Sequence, residues 1–291
     1  MSTTTGKATT AGTTGAGAGT TGAGAGTTGA RAVVTAGTTT LRGRMTALAR
    51  AELTLLGRSR ATLISALFVP LLLPLSVRSA TDQMDLAEAG LSVGMVILPA
   101  AVGFSLLFAI YTALTNIYVV RREELVLKRL RTGELRDPEI LVGAALPAVG
   151  IALVQCLLLA IGCTVLLDLQ APPAPHLAVL GVLLGVVMCV ALAAVTASIS
   201  RTAESAQVTS LPLMFVSLLG SGITVPLEVL PDRVASVCEL LPLSPVITLV
   251  RGGWTGDLSA YDALGAVATA LAWTVLAVFA VRRWFRWEPR R

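Results

Sequence analysis

The chain has 291 residues, 54% of them hydrophobic and only 13% charged, with a formal net charge of +5. Soluble domains carry about 25% charged residues, so this composition excludes an ordinary soluble enzyme and identifies a polytopic membrane protein. Its four cysteines form no CxxC pair and His176 is its one histidine; a disulfide framework, a thiolate metal site and a Ser/His hydrolase are thereby excluded.

Residues 1–40 are low-complexity. The heptad TTGAGAG at 13–19 repeats at 20–26 and begins again at 27. Gly, Ala and Thr bury too little surface to offset the entropy of ordering, which predicts a disordered cytoplasmic tail with no apolar core of a signal peptide. Over 41–60, Leu41, Met45, Leu48 and Leu55 fall at helical spacing beside Arg42, Arg44, Arg50 and Arg58. This reads as an amphipathic helix in the inner interface, its arginines doubling as membrane anchors.

A six-span domain is expected over 61–287. Six segments lack any Asp, Glu, Lys, Arg or His: 61–77, 91–120, 141–166, 177–199, 207–227 and 263–281. About 20 residues at a rise of about 1.5 Å cross the hydrocarbon core, so the predicted fold is all-α with six transmembrane helices. Pro70, Pro74 and Pro99 predict kinks or local unwinding in the first two. Tyr111, Thr115 and Tyr118, at helical spacing, carry the second beyond its apolar part towards residues 121–140. Gly220, Ser221, Gly222 and Pro226 break the fifth before its end. Residues 226–261 hold Leu227, Val229, Leu230, Val234, Val237, Leu240 and Leu241, too apolar for a free loop, and read as short re-entrant or interfacial helices at the outer mouth. Of the 22 Lys and Arg, all but Arg78, Arg233 and Arg251 fall on one side of such a topology. The positive-inside rule places that side, with both termini, in the cytoplasm, and the net charge answers to anionic lipid rather than nucleic acid.

Between the second and third spans lies RREELVLKRLRTGELRDPEI, residues 121–140. Its acids, Glu123, Glu124, Glu134, Asp137 and Glu139, nearly cancel its six basic residues, which a merely topological loop would not require. A helix is predicted over 123–132, with Gly133 as its stop and Asp137-Pro138 opening the next helix. No GxxxxGK[ST] is present, so the chain has no phosphate-binding loop of this kind. The spans also lack the ionisable relays that proton- or ion-coupled transporters use. A transporter with this core takes its energy from outside itself, and the ionic loop is where a partner would deliver it.

The polar side chains inside the spans are few. Tyr111, Asn116, Gln155, Ser221 and Thr224 are candidates for a substrate path or for interhelical hydrogen bonding. GVLLG at 181–185 is a GxxxG and marks a face of close helix approach. An uncharged interior suits a hydrophobic or amphipathic substrate.

The order of an amphipathic helix, six spans, the loop RREELVLKRLRTGELRDPEIL and the late stretch SLPLMFVSLLGSGITVPLEVLPDRVASVCELLPLSPVITLVRG at 210–252 resembles the membrane subunits, or permeases, of ABC type 2 exporters. Those include bacterial drug-resistance and polysaccharide or lipid export proteins. Arg122-Glu123-Glu124, Leu127, Leu130 and Thr132 stand where that family has its Arg-x-Glu, Leu-x-x-Leu and Thr; its frequent glycine and proline fall here on Val126 and Gly133. The resemblance implies a dimer of permeases in the bacterial plasma membrane. It also implies a coupling helix docked into a cytoplasmic ATPase subunit that binds the ATP and Mg, this chain binding no cofactor. Arg122, Glu123, Glu124, Lys128, Arg129, Arg131, Glu134 and Arg136 would carry that coupling. The competing readings are a membrane-embedded lipid-modifying enzyme and a secondary transporter.

Overall fold

A computed structural model describes Gly43 and residues 93–127, 136–166, 169–223 and 231–285. All belong to one unit, Thr40–Arg291. The expected tail at 1–40, nearly all of the amphipathic helix at 41–60 and the first span at 61–77 lie outside the described residues. Within them the chain is helical without a strand.

The second predicted span is a single rod built of α1, Val93–Ser105, a π-helical stretch, Leu106–Thr112, and α2, Ala113–Glu123. Pro99 lies inside α1, and the helix continues through it. The irregularity falls later, where the backbone widens into the π stretch and Thr112 Oγ1 donates to the carbonyls of Leu107 and Phe108 at 2.8 and 2.9 Å. Phe104 and Phe108 stack beside it, their ring centroids 4.1 Å apart. A proline in the first turns of a long helix removes one hydrogen bond, and the rest of the ladder bridges the gap.

The third span is α3, Asp137–Leu166, which opens at the predicted Asp137-Pro138. Pro in a first turn gives up an N–H that has no intrahelical acceptor anyway, and Arg136 N–H donates to Glu139 Oε2 at 3.3 Å. The fourth is α4, Pro175–Ile199. Next come α5, Ala203–Gly220, two short helices, α6, Asp232–Glu239, and α7, Ser244–Thr255, and finally α8, Ala260–Trp284. The break expected in the fifth span is present, since α5 ends at Gly220 and Gly222 takes φ 78°.

Four described helices are long and apolar enough to cross a membrane: Gly94–Glu123, Asp137–Val165, Pro175–Ile199 and Ala260–Trp284. The pair α6 and α7, bent by 98°, makes a fifth if it is one broken span. In place of the predicted fifth span, 207–227, stands the 18-residue α5, which starts four residues earlier and takes in Glu204. Four or five spans is the count within the described residues alone, and the first predicted span lies outside them.

α4 is the central helix, packed against α3, α5, α7, α8, α2 and the π stretch. Its small residues allow this. A Cβ on Gly181 would lie 2.9 Å from Leu249 Cβ, and one on Gly185 would lie 2.7 Å from Leu106 Cδ1. The partner of the GxxxG is therefore mainly α7. Gly253 of α7 completes the seam, for its Cβ would meet the backbone nitrogen of Ala178 at 2.8 Å. Ala174 N–H also donates to the Gly253 carbonyl at 3.1 Å. By contrast α8 turns most of its surface outward, with Val275 and Phe279 about two-thirds exposed, as suits a face against lipid.

Candidate functional site

The rod that ends in the ionic loop carries an inward stripe at spacing four, three and four: Tyr111, Thr115, Tyr118 and Arg122, each no more than 1% exposed. This is the face a helix buries, and it holds the rod to three other helices. Tyr118 Oη donates to the Leu141 carbonyl of α3 at 3.0 Å. Tyr111 Oη lies 3.1 Å from Thr196 Oγ1 of α4 and donates to the Ser210 carbonyl of α5 at 3.4 Å. One turn above the stripe, Ser105 Oγ donates to Gln155 Oε1 of α3 at 2.6 Å, both residues fully buried. Tyr111 and Gln155 therefore act as interhelical ties.

Arg122 was expected to face a partner. The structure turns it inward, where its guanidinium donates to the Ala197 carbonyl at 2.9 Å, to that of Ser200 at 2.5 Å and to that of Arg201 at 3.4 Å. These are carbonyls at and just past the C-terminus of α4, the negative end of a helix and a favourable place for a cation. The next residue, Glu123, is exposed and its Oε1 accepts from the Ala203 N–H at 3.3 Å. Ala203 is the first residue of α5, where a carboxylate complements the positive end. Two adjacent side chains of one helix thus hold the opposite poles of two others, joined by the turn at 200–202.

The predicted helix over 123–132 is interrupted at its start. Glu123 is the last residue of α2, Glu124 caps it, and Leu125 takes φ 59° before 126 and 127 turn helical again. The Leu125 N–H donates to the Arg122 carbonyl at 3.1 Å and the Glu124 N–H to that of Val120 at 2.9 Å. The physical reason is that α2 needs its last carbonyls covered, and a left-handed residue just past the end does so. Lys128, Arg129, Arg131 and Glu134 lie outside the described residues, while Glu124 and Arg136 are exposed.

Asn116 points away from the stripe and is exposed. It lies on a groove of about 390 Å³ between the rod and α5, with Thr112, Gln207 and Ser210 as its other polar walls and Phe108 and Met214 among its apolar ones. Ser221 is fully buried, and its Oγ has no hydrogen-bond partner among the described residues; Thr224 lies outside them. Of the candidates, Tyr111 and Gln155 thus serve helix–helix hydrogen bonds, Asn116 lines the groove, and Ser221 is buried at the end of α5. Near the other end of α4, α6, α7 and α8 enclose a larger recess of about 680 Å³, lined in part by Glu239, Arg251, Asp257 and Asp262.

Among the described residues no group of His, Cys, Asp and Glu is placed to hold a metal ion. Cys156, Cys163 and Cys189 are buried free thiols, and Cys238 is a half-buried one. The residues that the linear reading missed are Ser105, Ser210 and the turn at 200–202. The last two serve largely through backbone groups and leave no side-chain signal. The inward facing of Arg122 had a signal, because 111, 115, 118 and 122 continue one helical stripe.

A search of curated proteins returned no match. The family model of the ABC-2 type transporter matches residues 44–254, more than two-thirds of the chain. The match takes in the rod, the ionic loop, α3 to α6 and nearly all of α7, and the chain belongs to the ABC-2 type transporter family, as a multi-pass membrane protein.

Proposed function

We propose that this chain is the permease subunit of an ATP-binding-cassette exporter in the bacterial plasma membrane, moving a hydrophobic or amphipathic substrate out of the cytoplasm. ATP and Mg would bind a separate cytoplasmic ATPase subunit, and a second permease subunit would complete the path. The observation that carries this reading is the join between loop and spans. One helix runs without interruption from Gly94 to Glu123, and the helix returning to the membrane opens at Asp137. In this reading a displacement of the loop is delivered to two membrane helices, whose ends border it at Glu123 and Asp137. The groove at Asn116 is the substrate contact in this reading. A cleft of a few hundred Å³ with apolar walls and a few polar groups suits an amphipathic molecule.

The test is to co-express the chain with the product of a neighbouring reading frame that contains GxxxxGK[ST]. Inverted membrane vesicles are then assayed for uptake of ethidium and of a fluorescent phospholipid. ATP-dependent, vanadate-sensitive transport with co-purification of the two chains is the expected result. Transport driven by a proton gradient in the absence of any ATPase would assign the chain to secondary transport instead.

A further inference from the structure

We propose that Arg122 and Glu123 form an intramolecular bracket by which the ionic loop moves the α4–α5 junction, so that they are positioning residues and not contacts to the ATPase. The inference deepens the proposed transport function and rests on it for its energetic consequence.

The geometry has three parts. Arg122 is 1% exposed, so no docked protein can reach its guanidinium, whereas the carbonyls of Ala197, Ser200 and Arg201 already receive it. Glu123, next in sequence, is directed to the N–H of Ala203. Third, neither helix end depends on these contacts to exist. Thr202 and Ser205 form a complete capping box at the start of α5, with Ser205 N–H to Thr202 Oγ1 at 3.1 Å and Thr202 N–H to Ser205 Oγ at 2.9 Å. At the end of α4, both the N–H and the hydroxyl of Ser200 donate to the Thr196 carbonyl. Local capping is thus supplied from within, and what Arg122 and Glu123 add is a tie between elements. Because Tyr118, one turn earlier, holds α3, a rotation or shift of α2 is handed to α3 on one side and to α4 and α5 on the other.

Ala203 offers a test that leaves Glu123 untouched. It is the first helical position of α5, where proline is favoured because its missing N–H had no intrahelical acceptor. The preceding Thr202 is extended, with φ −126° and ψ 163°, the conformation that a residue before proline requires. Ala203→Pro therefore deletes the donor that Glu123 uses and keeps the helix. Arg122, being buried, is avoided because its truncation risks the fold.

The full chain with its co-purified ATPase is compared as wild type, Glu123→Ala, Ala203→Pro and the double variant. Ethidium and fluorescent phospholipid transported per ATP hydrolysed is one readout. The other is the pulsed-EPR distance between spin labels at Glu124→Cys and Glu204→Cys, with Cys238 replaced by serine. Each single variant should lower the transport ratio by about fivefold with co-purification retained. The double variant should be no worse than either, and all three should broaden the distance distribution. Wild-type transport in Ala203→Pro with loss of ATPase co-purification in Glu123→Ala would overturn the proposal, making Glu123 a partner contact. So would an unchanged label distance in both single variants. A broadened distance in a chain whose wild type neither transports nor binds an ATPase upholds the bracket and rejects the transport function.

Discussion

Arg122 illustrates how a charged side chain at the end of an apolar helix is decided by its register. On charge alone it belongs to the ionic loop; as the fourth member of the stripe 111, 115, 118 and 122 it belongs to the core, and the buried site succeeds because helix-terminal carbonyls are waiting there. Two neighbouring positions allow direct measurement. Leu125 sits at φ 59°, a conformation that costs a non-glycine residue about 1 kcal/mol. Leu125→Gly relieves that strain but adds unfolded-state entropy. Its thermal unfolding in detergent should fall within about 0.5 kcal/mol of wild type, whereas Leu125→Ile, branched at Cβ, should lose about 1 kcal/mol. The buried Ser105–Gln155 bond is the second. A double-mutant cycle with Ser105→Ala and Gln155→Leu, read by unfolding in mixed micelles, should give a coupling of about 0.6 kcal/mol. A coupling near zero would show that the two side chains are held by packing alone.

Among the helices, the seam between α4 and α7 is where close approach governs stability. Lipid and leucine are equally apolar, so helices in a bilayer gain by letting backbones approach, which small residues permit. Gly253 is the tightest point against backbone, its added Cβ meeting Ala178 N at 2.8 Å, and neither helix can shift freely because Ala174 N–H is bonded to the Gly253 carbonyl. Gly253→Val should lower stability by about 1–3 kcal/mol. Gly265→Val, on α8 with nothing within 4 Å of the added carbon, should change it little. Equal losses in size-exclusion and thermal assays would contradict the seam. Half of this feature was visible in advance, since GVLLG announced a packing face. The partner was not, because a GxxxG specifies what may come near and not which helix does.

Among the described residues, most side-chain hydrogen bonds between helices lie along one rod that begins in apolar helix and ends in charge. If the loop is where outside energy enters, Glu124→Ala and Arg129→Ala should lower transport and coupled ATP hydrolysis several-fold while membrane insertion stays normal; wild-type efflux with normal co-purification in both would remove the idea. Asn116→Leu should change transport of one amphipathic probe relative to another, since it alters a groove wall and no interhelical bond, with ATPase co-purification intact. The positions of the second, third, fourth and sixth predicted spans, the start of α3 at Asp137-Pro138, the break after Gly220 and the absence of a Walker loop were legible in the linear chain. Each rests on local chemistry: hydropathy over about 20 residues, proline at a first turn, glycine at a helix end, the lack of a motif. Folding decided the π stretch, the left-handed Leu125, the choice of α7 as partner for α4, and the turning of Arg122 and Glu123 towards two helix ends some 75 to 80 residues away. Those depend on which surfaces meet and which distant carbonyls and N–H groups are left to satisfy, and such quantities come into being only when the helices are packed.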